Sequence, residues 1–233
     1  LNNNITWAAT HATLPTAVNL FDDVFRVYFS SRDINGRSHA SFFDFDINNP
    51  TVILNSSKNP ILSPGAFGDF DENGVTPCSI VKINESFFLY YTGWCTSDNY
   101  PYLTFGGLAI SKDLKSFRKF SKLPIMGRTD KEPLSVGFFT VLKDMGIYKM
   151  WYESNIQWES NNPKTGYKFV IKYAESYDGL QWKRKDLTCI SLYDSEYVLS
   201  RPSVIKKNNG YEMWYSFKVN NKYRIGYAVS ENG

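Results

Sequence analysis

The chain is poor in the residues from which metal centres and disulfide frameworks are built: three cysteines and two histidines in 233 residues. Three cysteines cannot all pair with one another, and the spacing of Cys78, Cys95 and Cys189 matches no zinc pattern. Free thiols are expected, with a Cys78–Cys95 bridge open only if the strand ends carrying them are neighbours. No metal or other cofactor is expected, apart from the option of a structural calcium on loop carboxylates. An excess of charge of one sign is also missing. The 26 Lys and Arg against 23 Asp and Glu leave a net +3, scattered along the chain, which excludes a nucleic-acid footprint. No apolar run reaches the roughly 18 residues of a membrane-spanning helix. The start, Leu1-Asn2-Asn3-Asn4, is neither an initiator methionine nor a signal peptide, so it indicates no compartment. Long amphipathic helical patterns are absent as well. Nothing in the sequence sets an oligomeric state.

What the chain has in quantity is aromatic side chains: 16 Tyr, 17 Phe and 6 Trp. Aromatics pack well on the pleated faces of strands, so this enrichment favours β-structure. They also recur. "YKMWYES" (148–154) and "YEMWYSF" (211–217) are nearly the same phrase, and "FFLYYTGW" (87–94) and "FRVYFSSR" (25–32) share its aromatic pattern. The aligned positions Phe25, Phe87, Tyr148 and Tyr211 are 62, 61 and 63 residues apart. A fixed period of this length marks a repeat architecture.

Each copy has the same surroundings. Upstream lie the apolar segments "PTAVNL", "PCSIVKI", "GFFTVL" and "PSVIKK", each followed by Asn, Asp and Gly residues suited to a hairpin turn. Downstream come "GGLAIS", "IKYAES" and "IGYAVS", and "YDGLQW" then opens a fourth strand. Strand, hairpin, strand, loop, strand, turn, strand is a four-stranded antiparallel blade, and its repetition predicts an all-β β-propeller. Four repeats are visible, over 12–62, 74–124, 133–190 and 198–233, within a single domain 1–233. Residues 1–10, where "NNITW" resembles "DGLQW", are expected to give the outer strand of a closing or truncated blade, with Ile5–Trp7 at its centre. Met150, Trp151, Met213 and Trp214 are expected to pack between blades.

The phrases "GYEMWYSF…YRIGYAVSENG", "YKMWYES…IKYAESYDGLQW" and "RVYFSSRD" resemble the five-bladed β-propeller glycosidase superfamily of arabinanases, xylosidases, invertases, levansucrases and mannoside phosphorylases. The resemblance runs through nearly the whole chain and implies five blades, with a carbohydrate or sugar-phosphate ligand in a central funnel. In such a blade the residues around the start of the first strand and just after the second line the funnel rim. Here these are His11, Thr13, Arg32 and Asp33; Asp69, Asp71, Glu72, Thr76, Trp94 and Cys95; Glu132, Glu153, Ser154 and Asn155; and Glu196, Arg201 and Lys218.

Glycoside cleavage needs a carboxylic acid with a raised pKa and, in most families, a second carboxylate. In the families resembled, acids commonly stand before the proline that opens the first strands of blades one and two. Those positions hold Leu14 and Thr76 here, and the blade-three register holds Gly137. The usual acids are therefore absent, and the remaining candidates are Asp71, Glu132 and Glu153. Glu153 breaks the pattern of its own repeat, because Ser30, Thr92 and Ser216 occupy its register. Asp71 lies in a Gly- and Asp-rich loop where turn formation is an equal option, and Glu132 and Glu196 are ordinary loop glutamates otherwise. His11, Arg32, Asp33, Trp94, Asn155, Glu196 and Arg201 are candidate ligand contacts, with Tyr100 as a further stacking surface. Arg32 and Asp33 can form a local ion pair. Arg201 is placed to pair with Glu153 or Glu196, or to hold an acidic sugar or phosphate through its guanidinium fork. His39 falls in a third strand, away from the funnel. The sequence thus leaves two functions: a glycosidase-like enzyme working by hydrolysis, transfer or phosphorolysis, or a non-catalytic carbohydrate-binding propeller.

Overall fold

The computed structural model describes residues 6–98, 101–158 and 166–233. Among these, strands dominate and no helix is long and apolar enough to cross a membrane. The first repeat comprises β1 (Thr10–Phe21), β2 (Val24–Arg32), β3 (Ser38–Asp46) and β4 (Asn49–Ser56). The second comprises β5 (Gly74–Ile83), β6 (Ser86–Cys95), β7 (Leu103–Ser111) and the short β8 (Arg118–Lys119). The third has β9 (Val136–Asp144), β10 (Ile147–Trp158), β11 (Tyr167–Ser176) and β12 (Lys183–Ile190), and the fourth has β13 (Glu196–Lys207), β14 (Gly210–Val219) and β15 (Lys222–Ser230). Neighbouring strands within each repeat pair antiparallel, and single parallel bridges join the first repeat to the second, Ser38 with Gly74, and the third to the fourth, Phe169 with Val198. Of the outer strand expected at Ile5–Trp7, Thr6 and Trp7 lie in a 3-10 turn (Thr6–Ala8), and Ile5 is outside the described residues.

The described chain forms two compact units, Leu1–Cys95 with Gly107–Pro124, and Thr96–Gly106 with Ile125–Gly233. Each has its own core. In the first unit Tyr28, Phe42, Leu62, Val75, Leu89, Tyr91 and Ala109 are buried together. In the second, Trp151, Ile171, Tyr173, Leu199, Val204, Tyr211 and Met213 are. The repeated aromatic phrase is thus mainly core. Trp214 departs from the expectation: it is 38% exposed, and its ring lies 5.3 Å from that of the still more open Tyr227. The three cysteines are thiols, which closes the option of a Cys78–Cys95 bridge.

The repeated "A-x-S" phrase closes the turn between third and fourth strands. The Ser111 hydroxyl donates to Asp113 Oδ1 and accepts the Leu114 amide, and Ser176 does the same with Asp178 and the Gly179 amide. Each Asp then caps the two amides that follow. This is the local side-chain-to-backbone bonding that Ser and Asp favour. The turn requires left-handed backbone at its fourth residue, where Gly179 has φ +73° and Leu114 φ +62°. A Cβ is costly in that conformation, so Gly179→Ala is expected to lower stability by about 1 kcal/mol, read as a shift in the urea midpoint.

A second irregularity recurs at the head of each first strand. The register slips between Thr13 and Thr16, between Pro77 and Ser79, opposite Trp151 and Glu153, and between Ser200 and Ser203. Leu14, Phe138 and Arg201 in these bulges have φ of +60°, +47° and +53°. Bulges re-aim side chains and cluster near functional sites, and strained backbone of this kind persists only where its surroundings enforce it.

Candidate functional site

Glu153 lies in the middle of β10, opposite Gly137 of β9 and Ile171 of β11. With the glycine on one side and the core on the other, the residue is only 4% exposed. Burial disfavours the charged form, and although a hydrogen bond from Ser200 and the nearby Arg201 guanidinium favour it, the pKa is pushed up to about 7. Glu153 is therefore a carboxyl that holds a proton near neutrality and can release it. The strained bulge at Arg201 places an exposed guanidinium beside it, 5.1 Å over the Phe138 ring. The phenols of Tyr102 and Tyr223 feel both charges, and burial foremost raises the pKa of each. Lys218 sits over the rings of Tyr167, Tyr197 and Tyr223 at 5.9, 5.3 and 5.3 Å.

Two residues along the same face of β10 is Asn155, 2% exposed. Its Oδ1 accepts the Gln157 amide, but its Nδ2 has no hydrogen-bond partner among the described residues. The buried hydroxyls of Thr104 and Ser135 are likewise without partners, and Ser135 joins Asn155 through a backbone hydrogen bond of 2.8 Å. Buried polar groups in native proteins are overwhelmingly satisfied. Three unsatisfied ones lie in this unit, one a strand neighbour of Glu153 and one bonded to that neighbour.

The proton linkage has a testable sign. A carboxyl whose pKa rises from the ordinary 4.5 to about 7 on folding binds its proton more tightly in the folded state. Its stabilising contribution is complete below pH 4.5 and is lost as pH rises to about 7, a change of about 3 kcal/mol. Glu153→Gln, which has no proton to lose, is expected to flatten this part of the stability–pH curve. Urea unfolding between pH 4 and 8 measures it, and an unchanged slope in the variant would remove the buried-acid assignment.

The other expected carboxylates have a different setting. Asp71, 2% exposed, accepts the Tyr91 hydroxyl at 2.9 Å and pairs with Lys119 Nζ at 2.7 Å. Glu132, 4% exposed, accepts Tyr152 OH at 3.0 Å and Ser154 Oγ at 2.7 Å, pairs with Arg184 Nη1 at 3.1 Å, and has Lys172 Nζ at 3.8 Å. The two are copies of one device. Each acid reaches a tyrosine 20 residues on, in the second strand of its own repeat, and a cation at the same register of the fourth strand. Gly107 lets the Tyr91 ring lie where any Cβ would collide with it.

Of the remaining expected contacts, His11 is exposed at φ +65° and bonded to Thr10 Oγ1 at 2.9 Å. Arg32 stacks 5.5 Å over Trp94 and does not pair with Asp33, whose carboxylate instead engages Arg37 at 3.1 Å and His39 at 3.2 Å. Thus the local Arg32–Asp33 pair is replaced by a loop-closing set. Glu196 accepts the Tyr193 amide. Tyr100 is outside the described residues. Sequence reasoning brought Glu153, Asn155, Arg201 and Lys218 into one unit, and missed Tyr102, Thr104, Ser135, Ser200 and Tyr223. The identical spacing of Asp71–Tyr91 and Glu132–Tyr152 was a legible sign of the repeated ion-pair device. No cluster of metal-ligating side chains occurs among the described residues. A cavity of about 250 Å³ between β12 and β15, lined by Trp151, Cys189, Val204, Tyr211 and Met213 among others, has no Asp or Glu in its wall and does not include Glu153.

No protein-family model matches the chain. Two Mycobacterium tuberculosis proteins, uncharacterized protein MT1551 of strain CDC 1551 / Oshkosh and uncharacterized protein Rv1502 of strain ATCC 25618 / H37Rv, are each 36% identical over 233 residues, covering 100% of this chain and 77% of their own. Among solved structures, a glycoside hydrolase superposes with a TM-score of 0.73 at 16% identity, over 93% of this chain and 65% of its own. A glycosyl hydrolase from Bacteroides ovatus gives 0.74 at 16%, over 97% and 68%, and the sucrose-6-phosphate hydrolase from Lactobacillus gasseri gives 0.72 at 14%, over 95% and 45%. The chain spans less than two thirds of the first of these and less than half of the last. At such identities the likeness establishes the fold, which is that of the glycosidase-like β-propellers.

Proposed function

The chain belongs to the same family as those two Mycobacterium tuberculosis proteins, and from that premise and the propeller fold we propose that it acts on a glycoside bound beside Glu153. The observation that carries this is a buried carboxyl, protonated near neutrality, on one strand face with the unsatisfied amide of Asn155. A general acid works best when its pKa lies near the working pH. Glu153 gives its proton to the glycosidic oxygen as the bond to the sugar carbon breaks, and is left as a carboxylate next to Arg201. Ser200 orients the carboxyl, and Asn155, Ser135 and Thr104 offer hydrogen bonds to sugar hydroxyls. Tyr102, Tyr167 and Tyr223 offer aromatic surface.

The attacking oxygen comes from water, whose proton passes to the Glu153 carboxylate and restores the acid, giving hydrolysis, or from a phosphate oxyanion held by Arg201, giving phosphorolysis, after which Glu153 regains its proton from solvent. Support for an anionic group comes from the exposed, fixed guanidinium and from a structural neighbour whose name specifies a phosphorylated sugar. Asp71 and Glu132 serve in this reading as framework ion pairs. A second reading, carbohydrate binding without turnover, is favoured by Leu14 and Thr76 at the positions where the families resembled carry acids.

Calorimetry with neutral and phosphorylated glycosides on the wild type and Glu153→Gln, with product analysis in the presence and absence of inorganic phosphate, separates these readings. Turnover by the wild type and binding without turnover by the variant supports the enzyme. Equal binding without products by both supports the lectin-like alternative.

A further inference from the structure

A second constellation of reactive side chains lies in the first unit, outside the site just described. His39, at the start of β3 and 8% exposed, has Nε2 at 3.2 Å from Asp33 Oδ2 and Nδ1 at 3.4 Å from Ser63 Oγ. We propose that Ser63, His39 and Asp33 form a nucleophilic site for acyl esters, with Ser63 as nucleophile, His39 as base and Asp33 as the group that positions the ring.

The arrangement follows from the chain around it. Asp33 closes the tight loop after β2: its Oδ1 accepts the amides of Asn35 and Arg37, both at 2.9 Å, and its Oδ2 accepts Arg37 Nε at 3.1 Å. Burial by itself would raise its pKa, but the Arg37 amide, His39 and the Asn35 amide outweigh it and hold the group below the ordinary carboxylate value. An ionised carboxylate only accepts hydrogen bonds. Nε2 is therefore the ring nitrogen that donates to Asp33, and Nδ1 is the one that faces the Ser63 hydroxyl, with a lone pair for it in the tautomer that carries its proton on Nε2. This is the base-to-nucleophile geometry of serine hydrolases with the two ring nitrogens exchanged, at a separation usual for an unliganded site. The nucleophile and base are also fixed to one another through their neighbours. Ala40 and Leu62, adjacent to His39 and Ser63, form an antiparallel bridge with Ala40 N to Leu62 O and Ile61 N to Ala40 O both at 2.9 Å. Ser63 itself is exposed, so it is open to esters presented from solution.

In the reaction, Ser63 Oγ bonds to the ester carbonyl carbon as its proton passes to His39 Nδ1. The bond from that carbon to the alcohol oxygen then breaks, and the alcohol leaves with the proton from Nδ1. Water, deprotonated by the same nitrogen, attacks the acyl-serine and releases the carboxylic acid, restoring Ser63.

The test is active-site titration of the full chain with diisopropyl fluorophosphate, followed by peptide mass spectrometry, and hydrolysis of p-nitrophenyl acetate. Stoichiometric labelling at Ser63 is expected, together with at least a tenfold loss of ester hydrolysis in Ser63→Ala, whose exposed site leaves the fold intact. Asp33→Asn is expected to lower the maximal labelling rate while leaving the reagent concentration for half-maximal rate unchanged, the split that distinguishes ring positioning from a general structural role. Absence of label at Ser63, or equal hydrolysis by the wild type and Ser63→Ala, overturns the proposal.

Discussion

Glu153→Gln is expected to lower glycoside cleavage by about 10²–10⁴-fold with substrate binding retained, the usual worth of a positioned general acid. Gln matches the shape of the protonated carboxyl and keeps an acceptor for the Ser200 hydroxyl, so the loss falls on proton donation alone. In the wild type the rate is expected to fall as pH rises through about 7, because the acid form is then depleted. Substrates with a leaving group that needs no proton are expected to escape most of the loss in the variant. Initial rates across pH 5 to 9 with good and poor leaving groups check all three points. A variant within threefold of the wild type on poor leaving groups would assign the acid elsewhere.

Glu132→Ala is expected to destabilise the protein by about 3–5 kcal/mol, because removing one partner of a buried ion pair leaves the others uncompensated. Arg184 would keep only its 2.6 Å bond to the Gly127 carbonyl, and Lys172 its pairing with Asp186 at 2.9 Å. Tyr152 and Ser154, both fully buried, would lose an acceptor. A double-mutant cycle with Arg184→Met is expected to show a coupling of about 1–3 kcal/mol, read from urea unfolding. A cost under 1 kcal/mol would mean that Glu132 is not committed to the framework, and its role in proton transfer would be open again. The two experiments separate two carboxylates that the sequence offered together as candidates, since one glutamate is expected to govern rate and the other stability.

Much of the fold was legible because its signals are local. Hairpin turns and alternating aromatics act within a few residues, and the 61-to-63-residue recurrence of the aromatic phrase exposed the repeats. The exposure of Trp214 was not legible, since burial depends on what lies opposite and not on the phrase itself. For the site, the repeat singled out Glu153 because a carboxylate replaced small polar residues at one register. The roles of Asp71 and Glu132 were hidden because their cations, Lys119 and Arg184, arrive from fourth strands some fifty residues downstream. Asp33 likewise finds Arg37 and His39 in place of its neighbour Arg32, since adjacent residues on a strand end point to opposite sides.

The sequence by itself determined the strands, their order and the repeating unit, for these rest on short-range periodicity and turn chemistry. Only the tertiary structure decided which acids are paired, which carboxyl keeps its proton and which polar groups lack a partner. Those properties depend on burial and on side chains brought together from distant parts of the chain, and it is they that separate a candidate acid from a framework ion pair.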